Sequence, residues 1–83
     1  MPTTDDLKQR IEAAIPGSQA QVTDLTGTGD HFQASIVTAA FDGVSRLDQH
    51  RMVYDAVAAE LADGSIHALS LRTRTPAQVE ESR

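Results

Sequence analysis

Three features of this sequence predict an α+β fold: a two-layer sandwich with helices over one face of a three-stranded mixed sheet. Residues 45–61 carry apolar side chains at helical spacing, and residues 31–38 alternate as a half-buried strand does. That helix also lies between the second and third strands of the reading. An intervening helix makes those two strands parallel, whereas the short turn before residue 31 makes the first two a hairpin. The predicted order is α-β-β-α-β, closed by a segment that is a short helical turn or a frayed tail.

Thr4 caps the first helix, with Asp5 and Asp6 set against its positive end. Leu7, Ile11, Ala14 and Ile15 form its apolar stripe, and Pro16-Gly17 stops it. The first strand runs from Ala20 to Leu25, with Val22 and Leu25 as its strong apolar positions. Residues 26–30, TGTGD, form a flexible turn too short for a crossover. From His31 to Thr38, Phe32, Ala34 and Ile36 share one face, while His31, Gln33, Ser35 and Val37 share the other.

Ser45 caps the long helix, and Asp48 suits its first turn. Leu47, His50, Tyr54, Val57 and Leu61 fall on one face, widened by Met52, Val53 and Ala56. Asp48, Gln49, Arg51, Asp55, Ala59 and Glu60 fall mainly outside it. Asp63-Gly64-Ser65 ends the helix. Ile66 to Arg74 forms the third strand, where His67, Leu69 and Leu71 alternate with Ala68, Ser70 and Arg72. Thr75-Pro76 ends that strand, and AQVEESR follows.

A chain of 83 residues holds one domain, assigned here to residues 1–83. Such a domain buries only about 60% of its unfolded surface. With no cysteine, the chain forms no disulfide and supplies no thiolate to a metal. Twelve acidic against seven basic residues leave a net charge of −5, which argues against a surface that tracks phosphates. The polar, acidic start MPTTDDLK predicts no secretory leader, so a cytoplasmic location is expected.

His31, His50 and His67 are the conventional metal-binding side chains besides carboxylates, and they form no HExxH pair. Taken alone, His31 is a turn histidine or a ligand, and His67 is a ligand or a hydrogen-bonding residue at the edge of the core. His50, within an apolar row, suits a satisfied structural histidine better than a ligand. Arg46, Arg51, Arg72 and Arg74 are contacts for a partner's carboxylates or members of a solvated face. Ser45, Asp48 and His50 have the residue types of a hydrolytic triad. They crowd onto one helix with no nucleophile elbow, so no enzyme is expected.

The runs FDGVSR (residues 41–46), HRMVYDAV (50–57) and IHALSL (66–71), followed by Thr75-Pro76, resemble the BolA family in order and spacing. The likeness covers residues 5–76 and leaves 77–83 as a tail. It implies a protein that pairs with a monothiol glutaredoxin to coordinate and transfer a [2Fe–2S] cluster, in iron–sulfur trafficking and iron homeostasis. The family ligand at the start of the last strand maps to His67, and the variable-loop ligand maps to His31. Because this chain offers imidazole and no sulfur, the thiolates would come from the glutaredoxin and its glutathione. Arg46, His50, Arg51, Arg72 and Arg74 become candidate partner contacts, and the free protein is expected to be a monomer. Imidazole ligation also predicts weaker cluster retention below roughly pH 6, since a protonated ring cannot coordinate.

Some members are described as DNA-binding regulators of stress response or cell morphology, which is the alternative reading. The order of elements resembles the type II KH domain, but the GxxG loop of that domain is missing, and Gly43 stands alone before the helix. Two positions depart from the family: Gln49, where a basic residue is common, and Val79, where an aromatic is frequent.

Overall fold

Residues 3–27, 29 and 31–81 are described by a computed structural model of the chain. The first helix, α1 (Thr4–Ala14), opens on a capping box. Thr3 Oγ1 accepts the Asp6 N–H at 3.1 Å, and Asp6 Oδ2 accepts the Thr3 N–H at 3.0 Å. The cap therefore falls one residue before Thr4, because Asp6 is the side chain able to reach back. Leu7, Ile11 and Ile15 are buried along the expected stripe, whereas Ala14 is exposed.

Strands β1 (Gln19–Asp24), β2 (His31–Val37) and β3 (Ala68–Arg74) form one sheet in the order β1-β2-β3. β1 and β2 are antiparallel, with Ala20 opposite Ile36, and β2 and β3 are parallel, with His31 opposite Ala68. Phe32, Ala34 and Ile36 of the central strand are buried with Leu7, Ile11, Val53 and Val57, and Leu69 and Leu71 pack against this core. The other face of the sheet carries Gln19, Gln21, Gln33, Ser35, Ser70 and Arg72. The architecture is the expected α+β sandwich.

The two outer edges of the sheet are treated differently. On β1, the Ala20 N–H donates to Glu12 Oε2 at 3.0 Å, and Lys8 Nζ donates to the Ala20 carbonyl at 3.3 Å. Charged side chains of α1 thus satisfy the backbone at Ala20 that a foreign strand would otherwise meet. The Ala20 amide, with Lys8 as a smaller contributor, holds the Glu12 carboxyl below the usual carboxylate range. Among the described residues, no charged side chain covers the outer edge of β3 in this way.

The long helix of the sequence reading is two helices. α2 (Arg46–Ala56) begins at Ser45, whose Oγ accepts the Asp48 N–H at 3.2 Å as expected. It is interrupted at Val57, where the backbone leaves helical angles (φ −119°, ψ 26°), and α3 (Ala58–Ala62) follows. The buried row is also turned from the expected one. Gln49, Val53, Val57 and Glu60 face inward, while Leu47 is 63% exposed and Tyr54 is exposed too. One residue is about 100° of helix, so a small error in choosing the row moves the whole face.

Hydropathy misplaced the row because two of its members are polar and satisfied by distant groups. Gln49, 8% exposed, donates from Nε2 to the carbonyls of Val44 (2.8 Å) and Phe41 (3.3 Å), and its Oε1 accepts the Thr73 hydroxyl at 2.6 Å. Glu60, 7% exposed, meets Arg10 Nε at 2.8 Å through Oε1. Its Oε2 is buried without a hydrogen-bond partner among the described residues.

The closing segment is helical: α4 (Pro76–Glu81). The Thr75 N–H donates to Gln78 Oε1 at 2.8 Å and the Gln78 N–H to Thr75 Oγ1 at 3.2 Å, a second reciprocal cap. Val79, despite the missing aromatic, lies half-buried near Gln19 and Val37. Among the described residues, no helix is long and apolar enough to cross a membrane.

Candidate functional site: a histidine pair beside an arginine groove

His31 is the first residue of the central strand, and His67 immediately precedes the edge strand. Because β2 and β3 run parallel with His31 opposite Ala68, both histidines arrive at the same end of the sheet. Their rings meet edge-on, with centroids 6.0 Å apart and planes at 85°. His31 is half-buried and His67 exposed, so the pair sits at the surface.

Each histidine is held by the turn before it. Asp24, at the end of β1, collects the turn that leads to His31: Oδ1 accepts the N–H groups of Thr26 (3.3 Å) and Gly27 (3.0 Å), and Oδ2 accepts that of Gly29 (2.9 Å). Gly27 and Gly29 take φ of 75° and 77°, the left-handed region that glycine enters without a Cβ clash. The Leu25 N–H closes the hairpin on the His31 carbonyl at 2.8 Å. Residues 28 and 30 of this expected turn lie outside the described residues.

On the other side, Asp63 Oδ1 accepts the Ser65 N–H at 2.8 Å, and the Ile66 N–H donates to the Glu60 carbonyl at 3.1 Å. Hydrogen bonds from the Ser65 hydroxyl and then its amide hold the Asp63 carboxyl below its usual range. Ile66 is buried, which fixes the backbone from which His67 projects. The sequence reading missed Asp24 and Asp63. The available signal was an Asp opening a glycine- or serine-bearing turn, where its carboxylate can bond the backbone two or three residues on.

Among the described residues, no group of three or more His, Cys, Asp or Glu could hold a metal ion. Two imidazoles are what this chain brings to the site, and iron would need further ligands from elsewhere.

Four of the five expected partner contacts converge at a second place. Arg46 and His50 of α2, Arg72 and Arg74 of β3, and Gln78 of α4 line a groove of about 520 Å³ floored by Leu71–Arg74. Arg51 stands outside it, exposed and 3.9 Å from Asp48 Oδ1. The four residue steps from His67 to Leu71, where the groove begins, amount to about 13 Å of strand, so groove and histidine pair are separate parts of the surface.

The fold and this site define a small α+β domain whose mixed sheet carries a histidine pair at one end. Residues 9–78 match the model of the family described as BolA-like protein, and the chain belongs to the BolA family. It is similar to BolA-like protein 1 of Bos taurus, 45% identical over 56 residues. That match takes in 68% of this chain and 41% of the relative, so the matched segment spans about two fifths of that relative's length. Acid stress protein IbaG of Escherichia coli strain K12 is 38% identical over 63 residues, covering 76% of this chain and 75% of that one. The structure of a bolA protein homologue from Coxiella burnetii superposes with a TM-score of 0.81 at 38% identity, over 96% of this chain and 99% of that chain.

Proposed function

We propose that this protein is a cytoplasmic adaptor, not an enzyme, that pairs with a monothiol glutaredoxin to coordinate and pass on a [2Fe–2S] cluster. The observation that carries the proposal is the His31–His67 ring pair, 6.0 Å between centroids, at the surface of a chain with no cysteine. Clusters of this type accept histidine in place of thiolate at one iron, as Rieske centres do, so two imidazoles are an adequate half-set of ligands. The sulfur half-set is assigned to the partner's cysteine and to glutathione. In this chain the parallel β2–β3 pairing brings the rings together, and the turns at Asp24 and Asp63 limit how far each can swing. The imidazole nitrogens are then offered to the partner, and the cluster is cargo shared across the interface.

Mixing this chain with a monothiol glutaredoxin and glutathione under cluster-reconstituting conditions tests the proposal. The expected result is a visible absorption and circular dichroism spectrum distinct from that of the reconstituted glutaredoxin alone. A spectrum equal to the sum of the separate components would contradict it.

A further inference from the structure

We propose that the outer edge of β3 is a docking site for an extended segment of a partner protein in which acidic and apolar residues alternate. The inference stands on β3, α2 and the groove between them, and it does not require that the partner carry iron.

The direction of the backbone is the first observation. The Arg74 carbonyl accepts the Thr38 N–H at 3.1 Å, so Arg74 turns its polar groups toward β2, as do Arg72, Ser70 and Ala68 in the parallel register. Leu69, Leu71 and Thr73 must then point their N–H and C=O groups outward. Among the described residues no hydrogen bond reaches those groups. Four consecutive residues, Leu71–Arg74, line the groove. A strand that presents consecutive residues shows its edge, since a face shows only alternate ones. The opposite edge is capped at Ala20 by Lys8 and Glu12, whereas among the described residues no side chain caps β3 in that way.

Side chains specify what the edge accepts. Arg72 and Arg74 flank it on the outer face of the sheet, and Arg46 and His50 flank it on the helix side. Among the described residues no aspartate or glutamate lines this groove, in a chain whose net charge is −5. A strand laid beside β3 would place every second side chain against Arg72 and Arg74, which favours carboxylates there. Its remaining side chains would lie over half-buried Leu69 and Leu71, which favours apolar residues. Exposed main-chain donors and acceptors in the floor of the groove suit a peptide, whose backbone can complete the ladder. A nucleic acid would engage the arginines and leave the floor unpaired.

The test uses a fluorescein-labelled peptide of about six residues, a typical strand length, alternating glutamate and valine and blocked at both ends. Fluorescence anisotropy should show binding to the intact protein, and hydrogen exchange should slow at the amides of Leu69, Leu71 and Thr73. Replacing Arg72→Glu and Arg74→Glu together should weaken binding by about tenfold or more, since it puts like charges opposite each other. Methylating alternate peptide nitrogens, which leaves the protein untouched, should abolish it. The proposal is overturned by absence of binding, by binding without protection of those three amides, or by equal affinity for the methylated peptide. Tighter binding of an oligothymidylate of equal charge would assign the groove to nucleic acid instead.

Discussion

With His67 replaced by alanine, a reconstituted mixture of this chain and a monothiol glutaredoxin should show the spectrum of the glutaredoxin alone. His67 is exposed, and its ring contacts His31. Its removal opens no cavity in the core, and exposed substitutions of this kind change stability by only about 0.5 kcal/mol. The far-ultraviolet circular dichroism and urea midpoint of His67→Ala should therefore match those of the parent. Loss of the mixed spectrum in a variant that folds normally would separate ligation from folding. Retention of the full spectrum would remove His67 from the ligand set.

The second large effect is on stability. Phe32 is 1% exposed near the start of the central strand, between Asp24 and Leu69 in register, and its ring belongs to the buried core. Phe32→Ala should lower the unfolding free energy by about 3–5 kcal/mol, the sum of lost transfer energy and an unfilled cavity. A domain of 83 residues has roughly 4–12 kcal/mol in total at ordinary values per residue. The loss is a quarter or more of that total, so the urea midpoint of the variant should fall in proportion, and a total near the lower end of the range would leave it largely unfolded. A loss below about 1 kcal/mol would mean that the central strand is not the anchor of the core. Phe32 also follows His31 directly, so the packing that holds the sheet together sets the position of one proposed ligand.

Much of this arrangement is written in local patterns, and the part that is not depends on distant partners. The alternation of Phe32, Ala34 and Ile36 located β2 and its buried face, because the inner side of a sheet covered on one face has to be apolar. A helix between β2 and β3 implied parallel strands, and parallel strands bring His31 and His67 to one end although they are far apart in sequence. The face of α2 was not legible in the same way. Gln49 reads as a surface residue until Val44, Phe41 and Thr73 are placed around it, and Glu60 does so until Arg10 arrives from α1. Hydropathy ranks a side chain by its cost in oil, and hydrogen bonds from other elements cancel part of that cost.

The groove shows the same division. Arg46, Arg72 and Arg74 could be picked out by residue type, but that they share a groove with His50, without Arg51, follows from how α2 lies along β3. Asp24 drew no notice and Asp63 was read only as part of a helix stop, although their carboxylates organise the turns from which the histidines project.

The claim that joins these observations is that imidazole nitrogen from this chain binds iron that a partner holds through sulfur. Pulsed electron paramagnetic resonance of the reduced complex, with nitrogen-15 placed only in the histidines of this chain, tests it most directly. The account predicts strong hyperfine couplings at the nitrogen-15 frequency, which should fall away in His67→Ala. A spectrum indifferent to the label, with no coupling from this chain's histidines, would contradict it.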